Sequence, residues 1–356
     1  MGPRRLAIAA LVFAGSAWTC VHYLGAWSLL LAAGWAAVAA VVIDALARRV
    51  SYRWTARALV ALGIIAVALF AVAYPRLDTH EPGKGTDRDD DADVAVLAAA
   101  HGHYPFGART YLGNPVTHLP GSLLVAAPFV TVGGSALENV VVVPLAVFVL
   151  ARKTRSAEVL ILVVGIAAAS AGVWHEFLTG GNSLAEWTLL SAAAVWVVHD
   201  TRSWWRAALL GVALNVRANA LSSAPAVWRT TRLAAIVVGV QLLLVMPFLL
   251  GGLHRFTPIT GGSAKVAHLD VLFAHASTVL PALAALAGAG SAYAIARAPQ
   301  LPPSAAALAA LAASQLVQFS VLIVCSFVAG VPAWAENWTY YLALAVIPGA
   351  AAVAAA

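Results

Sequence analysis

Five aspartates stand within seven residues in the stretch 87–93, DRDDDAD, and seven of the fifteen acidic residues of the chain fall between Asp78 and Asp93. A carboxylate placed beside a hydroxyl can remove its proton, and grouped carboxylates can hold a divalent cation. Asp89, Asp90 and Asp93 are therefore our candidates for a catalytic base. The alternative for any one of them is a solvated surface loop with helix caps. Metal dependence is left open by the residues themselves.

The rest of the chain is too apolar for a soluble domain. Hydrophobic residues make up 62% of the 356 residues, charged residues 10%, and the mean hydropathy is +0.86. Apolar runs cut by short basic groups predict an all-α fold, a polytopic integral membrane helical bundle. The net charge of +6 comes from those juxtamembrane groups, which are typical of cytoplasmic loops and not of nucleic-acid binding. Cys20 and Cys325 lie in apolar runs and predict neither a disulfide nor a metal site.

The basic groups also predict how the chain threads the cell membrane. With a cytoplasmic N-terminus, we expect about eleven or twelve membrane segments. The segments placed in this way are 6–22, 25–46, 58–74, 157–174, 184–198, 233–251, 277–295, 304–328 and 339–355.

Two regions do not fit this alternation simply. The residues between Arg206 and Arg229 start and end on the cytoplasmic side, and Arg217 together with Ser-Ser-Ala-Pro at 222–225 suggests a hairpin of two short helices. The segments 119–133 and 136–151 must together make an odd number of crossings. Either one of them is re-entrant or a basic group breaks the rule.

Four loops are predicted outside the cell: 75–118, 175–183, 252–276 and 330–338. They hold most of the polar residues that are not juxtamembrane cations, and an intramembrane arginine stands in the hairpin. We divide the chain into 1–57, with two spans and a basic loop, and a main domain of 58–356. The candidate substrate-binding residues are Arg109, Tyr111, Asn114, His118, Asn182, Arg217, Lys265, His268 and Glu336.

Inside loop 75–118, the run from Asp90 to His101 predicts a short helix on the membrane surface. Its acids stand at the start, where they complement the helix dipole and accept free backbone N–H groups. Val94, Leu97 and Ala98 would form its apolar face, and Gly102 would end it. Asn182 is expected to cap the helix that follows it.

The order of these features resembles polyprenyl-phosphate-sugar-dependent glycosyltransferases of the GT-C fold, in particular the mannosyltransferase-like glycosyltransferase family 87. The resemblance covers 58–356. It is carried by the run from Asp89 to Tyr104 and by TYLGNPVTHLPGSLLVAAPF, GGNSLAEWTLL, WRAALLGVALNVRANALSSAPAVW and ENWTYYLALAVIPG. Arg217 stands where the family usually has lysine, and Asp93 stands where it has tyrosine if Asp89 is the matching aspartate. The choice among the three aspartates stays open.

The resemblance implies an extracytoplasmic, inverting sugar transfer within the lipid bilayer. The donor would be a sugar on a polyprenyl phosphate and the acceptor a hydroxyl of a glycan or glycolipid, with an aspartate of loop 75–118 as general base. Cationic side chains would stabilise the phosphate leaving group, with Arg109, Arg217, Lys265 and His268 as candidates. Mannose is the most natural sugar for such a family. The rival hypotheses are a membrane transporter and an inactive membrane scaffold.

Overall fold

The computed structural model describes residues 1–80, 87, 89–154, 156–228, 230–260, 266–331, 342 and 345–355. Within those residues the regular structure is helical and no strand is present, which confirms the predicted all-α class. Two isolated antiparallel bridges join Arg109 to Pro115 and His118 to Arg217. Lys265 and Glu336, two of the candidate substrate-binding residues, lie outside the described residues.

The helices of the first half carry the predicted spans and the predicted surface helix. In chain order they are α1 (Pro3–Leu24), α2 (Ser28–Arg49), α3 (Tyr52–Leu77), α4 (Asp90–Ala100), α5 (Pro120–Val130), α6 (Leu137–Thr154) and α7 (Ala157–Ala169). Proline at the first position starts α1 and α5, where its missing N–H has no intrahelical partner to lose. The boundary we placed after residue 57 falls inside α3.

The second half continues as α8 (Ala171–Leu178), α9 (Ser183–His199), α10 (Trp204–Leu214), α11 (Thr231–Leu249), α12 (Ala276–Ala296), α13 (Pro303–Val328) and α14 (Val346–Ala355). Three short 3₁₀ helices lie between them, at Ala218–Ala226, Leu253–Arg255 and Ala267–Val271.

Six helices of the described residues are long and apolar enough to cross a bilayer: Pro3–Leu24, Ser28–Arg49, Arg57–Leu77, Thr231–Leu249, Ala276–Ala296 and Pro303–Val328. Four more apolar helices have 10–17 residues, namely Pro120–Val130, Leu137–Leu150, Ser183–His199 and Trp204–Leu214. The chain is thus a multi-pass helical membrane protein, but several of the predicted segments are shorter than a full span. Outward-facing side chains such as Leu243 and Leu250 leave an apolar surface suited to lipid.

The predicted span 157–174 is not one straight helix: it is divided into α7 and α8, which meet at an angle of 77° at Ser170. Ser170 has an extended backbone and its hydroxyl donates to the Ile166 carbonyl at 2.7 Å. The freed N–H of Ala171 donates to Ser16 Oγ of α1 at 3.0 Å. A side chain on Gly15 would meet Ser170 at 2.7 Å, so this close contact with α1 stabilises the break.

The predicted hairpin between Arg206 and Arg229 breaks near Arg217, one of the two signals for it, and not at Ser-Ser-Ala-Pro. Residues 222–225 lie inside the 3₁₀ helix Ala218–Ala226, whereas α10 ends at Leu214 and the backbone of Arg217 is extended. The break is fixed by bonds to the chain around α5: Leu119 N donates to Val216 O at 3.0 Å, and Gly121 N donates to Asn215 Oδ1 at 2.9 Å. Tertiary contacts, not the Pro-containing sequence, decide this position.

Both ends of α5 lie beside α4. Thr117, before α5, binds Asp91, and Ser135, after it, binds Asp93. The eleven residues of α5 span only about 16 Å, which is too short to cross a hydrocarbon core of about 30 Å. The odd number of crossings expected for 119–151 stays a prediction.

One apolar core joins the first two helices to the rest of the bundle. It includes Ile8 and Val12 of α1, Ala40 of α2, Ile166 of α7 and Val346 of α14. Small residues allow the close approach, since a side chain on Gly349 would lie 2.5 Å from Leu11. The helix nearest the start of the chain therefore packs against the helix nearest its end.

Candidate functional site

The end of α3 and the start of α4 bring together what we call the acid cluster: Asp78, His80, Asp89 and Asp90. Asp78 follows the last residue of α3, and Asp89 precedes the first residue of α4. His80 Nε2 lies 2.9 Å from Asp90 Oδ1 and 3.8 Å from Asp78 Oδ1. Sequence reasoning missed Asp78 and His80, although their spacing, Asp-x-His directly after an apolar helix, is a recognisable signal for a ligand pair.

Asp89 is the most enclosed carboxylate of this cluster, with 2% of its surface exposed. The Tyr74 hydroxyl donates to its Oδ2, and its backbone carbonyl accepts from Ser135 Oγ at 3.1 Å. Its Oδ1 has no hydrogen-bond partner among the described residues. Burial raises the pKa of Asp89 to about 7; the Tyr74 bond opposes this, and the charges of Asp78 and Asp90 add to it.

The other two predicted bases are held differently. Asp93 Oδ1 accepts from Ser135 N at 2.8 Å, which ties the loop after α5 to α4. Asp90 shares its Oδ1 with His80. Burial raises the pKa of both carboxyls, opposed by the Ser135 bonds in Asp93 and by His80 in Asp90. Asp93 therefore anchors a loop, while Asp89 and Asp90 each keep an oxygen without a donor.

The predicted helix Asp90–His101 is found almost as expected, with Gly102 at φ +75° just beyond its end. Two details differ. Asp89 occupies the N-cap position without accepting a backbone N–H, because its side chain is turned to Tyr74. The buried face of α4 carries Asp91, Ala92 and Ala95, whereas Leu97 is 49% exposed. Of the apolar face we predicted, Val94 packs against a core that includes Ala95 and Phe106, whereas Leu97 points away from the protein, where lipid could cover it.

Beneath α4 lies a second group, which we call the buried network: Asp91, His118, Glu186 and Arg217. Asp91 accepts from Thr117 N at 3.0 Å and from Thr117 Oγ1 at 2.6 Å, and it lies 3.2 Å from His118 Nδ1. Burial alone would raise the pKa of Asp91, but His118, Arg217 and the Thr117 bonds lower it to about 2. Asp91 is thus ionised, and its carboxylate is already bound by Thr117 and His118 within the protein.

Glu186 and Arg217 form the centre of the buried network. Arg217 Nε lies 3.1 Å from Glu186 Oε2, Nη1 donates to Thr117 Oγ1 at 3.3 Å, and Nη2 lies 2.6 Å from His118 Nε2. The Ser122 hydroxyl donates to Glu186 Oε1. We expected Arg217 and His118 to contact substrate, and both have side-chain partners inside the protein. Glu186 was missed, although a lone acid in an apolar run is a signal for function or pairing.

A third set of buried polar side chains lies beside the network. Glu138 of α6 has no exposed surface, and the Asn182 side chain lies against its carboxylate. Asn182 occupies the N-cap position of α9, but its side chain makes no cap bond and is buried, contrary to our expectation. Asn139 Nδ2 donates to the Gly181 carbonyl at 3.0 Å.

The remaining candidates lie around the acid cluster or apart from it. The ring of Tyr111 packs edge-on against His80 at 4.9 Å, and Asn114 Nδ2 donates to Asp87 Oδ2 at 2.7 Å. Arg109 is exposed, with a bond to the Gly113 carbonyl at 3.4 Å. His268 Nε2 lies 2.9 Å from Ser326 Oγ of α13. Tyr111 is thus brought to the cluster, and Arg109 lies on the same loop.

Asp78, His80 and Asp90 are also the group with metal-binding geometry. Among the described residues, they are the set of at least three His, Cys, Asp or Glu side chains whose ligand atoms all lie within 4.8 Å of one another.

Comparison of the chain with protein-family models, with curated proteins and with solved structures finds no match.

Proposed function

We propose that the protein is a membrane glycosyltransferase that moves a sugar from a polyprenyl-phosphate donor to a hydroxyl of a glycan or glycolipid, with Asp89 as general base. The observation that carries the proposal is the Oδ1 atom of Asp89, a buried carboxylate oxygen with no donor, at the junction of α3 and α4. A base needs such an oxygen free to accept a proton from a hydroxyl.

The surroundings of Asp89 support this assignment. Tyr74 and Ser135 fix the position of the residue from two other elements, as a catalytic side chain requires. Asp91 and Asp93, its neighbours on α4, are occupied by Thr117 and Ser135. The long apolar helices and the exposed Leu97 beside the cluster suit a lipid-borne donor.

The reaction would be a single displacement at the anomeric carbon. The acceptor oxygen forms a bond to that carbon as Asp89 takes its proton, and the bond to the phosphate oxygen breaks with both electrons leaving on the phosphate. The configuration is inverted. Because Arg217 is already paired with Glu186, Arg109 is the better placed described cation for the phosphate, and Lys265 and His268 remain predictions.

The test is sugar transfer from lipid-linked donors by purified protein carrying Asp89→Asn, Asp90→Asn or Asp93→Asn. Loss of a positioned base should slow transfer by about 10²–10⁴-fold in Asp89→Asn. Asp93→Asn should act mainly through the Ser135 contact and cost less. Asp200→Asn, at the far end of α9, is the matched control and should transfer at the wild-type rate. Unchanged transfer in Asp89→Asn would remove Asp89 as the base.

A proton-coupled transporter is the second candidate, and one observation favours it. Glu138, Glu186 and His118 are fully buried ionisable groups on or beside apolar helices, as in proton relays of transporters. In sealed vesicles, a transporter would acidify or alkalinise the lumen with substrate, and Glu138→Gln would abolish that flux. A transferase would show product formation without flux and would not depend on a gradient.

A further inference from the structure

The acid cluster has spacings close to those of a metal site. Zn²⁺ takes nitrogen and oxygen ligands at about 2.0–2.1 Å, which places tetrahedral ligand atoms roughly 3.3 Å apart. The His80 Nε2 distances to Asp90 Oδ1 and Asp78 Oδ1, 2.9 and 3.8 Å, lie on either side of that value. All three ligand atoms lie within 4.8 Å of one another.

The buried oxygens of the cluster give an independent reason to expect a cation. The side chain of Asp78 is only 9% exposed, and its Oδ1, the atom that faces His80, has no hydrogen-bond partner among the described residues. Oδ2 of Asp90 and Oδ1 of Asp89 also have no hydrogen-bond partner among the described residues. Leaving a buried acceptor without a partner is costly, and more so for a charged group. A cation among these oxygens would remove that cost.

His80 is held in a conformation that presents its ring to the two carboxylates. Its φ of 50° lies in the left-handed region, where residues other than glycine are uncommon. The Tyr111 ring packs against it from the return loop. The surrounding structure thus fixes the imidazole between Asp78 and Asp90.

We propose that Asp78, His80 and Asp90 bind one divalent transition-metal ion, Mn²⁺ or Zn²⁺. Mg²⁺ and Ca²⁺ prefer ligand sets made of oxygen alone, whereas an imidazole nitrogen favours first-row transition metals. Three protein ligands leave a position for an oxygen of water or substrate, as catalytic metal sites do. The binding of the ion is independent of the proposed function. Only the role of the water or substrate oxygen in the open position, which would lie beside Asp89, rests on that function.

The test measures metal binding directly. Full-length protein, purified in nanodiscs through a tag without histidine and stripped with a chelator, is titrated with MnCl₂ or ZnCl₂ by calorimetry, and retained metal is counted by mass spectrometry. Wild type should hold one equivalent. Asp78→Asn, His80→Asn and Asp90→Asn should each weaken binding by at least the 10–100-fold that follows loss of an outer-shell partner. His101→Asn, at the opposite end of α4, is the control and should bind as wild type.

Two results would overturn the proposal: no stoichiometric metal in the wild type, or wild-type affinity in all three ligand variants. Thermal unfolding of each variant separates lost binding from lost folding. Asp90→Glu, which keeps a carboxylate, is a second control for the same purpose. Sugar-transfer assays with and without metal distinguish failure of the metal-site proposal from failure of the proposed function. Metal binding without any transfer would remove the transferase, whereas transfer by metal-free protein that Asp89→Asn abolishes would remove only the role of the ion in transfer.

Discussion

The guanidinium of Arg217 illustrates how strongly single residues are tied together beneath α4. It contacts Glu186 of α9 and the neighbouring residues Thr117 and His118, so it joins two other stretches of the chain to its own. Both Glu186 and Arg217 are buried, so neither charge is screened well by water. The pair therefore acts as a joint between α9, the break after α10 and the chain entering α5.

This joint makes a prediction about stability. Arg217→Met leaves the Glu186 carboxylate buried without its cation and should lower the free energy of unfolding by about 3–5 kcal/mol. The double variant Glu186→Gln with Arg217→Met removes both charges and should recover part of the loss. Denaturant unfolding of the purified protein in micelles measures both.

Arg255→Met is the control for that experiment, since Arg255 stacks on the Tyr104 ring at an exposed position. Its loss should cost at most about 1 kcal/mol. If Arg217→Met costs no more than Arg255→Met, the buried network does not hold these elements together.

For single residues, the sequence singled out the aspartate run but not the hydrogen-bond partners of its members. The aspartate run from Asp89 to Asp93 was found because it stands out in an apolar chain. Which member faces Tyr74, Thr117 or Ser135 depends on residues 15 to 46 positions away in the chain. Spacing alone cannot assign those partners, and it equally could not show that Arg217 faces Glu186.

Among the elements, α5 and α10 approach each other closely at Gly121. A Cβ on Gly121 would lie 2.4 Å from the Asn215 carbonyl and 2.5 Å from the Val212 carbonyl. Backbone atoms cannot move aside as a flexible side chain can. Glycine at this position therefore allows the chain after α10 to meet the first turn of α5.

Gly121→Ala should consequently destabilise the protein by about 1–3 kcal/mol, because the two backbones must separate. It should also lower activity by shifting His118 and Arg217. The matched control is Gly239→Ala in α11, where nothing lies within 4 Å of the added methyl group. That change should leave stability equal or raise it by up to about 1 kcal/mol. The measurement is thermal unfolding of both variants. Equal stabilities of Gly121→Ala and Gly239→Ala would contradict a close backbone contact at Gly121.

Elements governed by local sequence were predicted well, and those governed by distant contacts were not. α4 has its acids at the start and glycine at the end, and it was placed to within a residue. The bend at Ser170 depends on Gly15 and Ser16 of α1. The break at Asn215–Arg217 depends on the chain around Gly121. No local pattern in 157–178 or 204–228 carries that information.

In the whole molecule, the two ends of the helical bundle carry different kinds of side-chain contact. At one end Arg4, Arg5 and Arg48 surround the buried Asp44. At the other, Tyr23 Oη lies 2.9 Å from His175 Nε2, and Tyr74 and Phe177 flank Phe70. The acid cluster belongs to the second end. Arg4, Arg5 and Arg48, which we placed in the cytoplasm, thus lie at the end of α1 and α2 away from the acid cluster.

This polarity is testable by labelling. In a variant with Cys20 and Cys325 replaced by alanine, Ala99→Cys on the exposed side of α4 should react with a membrane-impermeant thiol reagent in intact cells. Arg202→Cys, in the loop between α9 and α10, should react only after the cells are opened. The reverse pattern would place the acid cluster in the cytosol and remove the proposed lipid-linked donor.

The packing of α1 against α14 has a consequence for biosynthesis. The glycine-bearing face of α1 is translated well before its partner residues Val346 and Gly349 in α14. During insertion this face has no partner helix until α14 has been made. Contacts so distant in sequence form slowly. We therefore expect the packing of α1 against α14 to close only after α14 has been inserted.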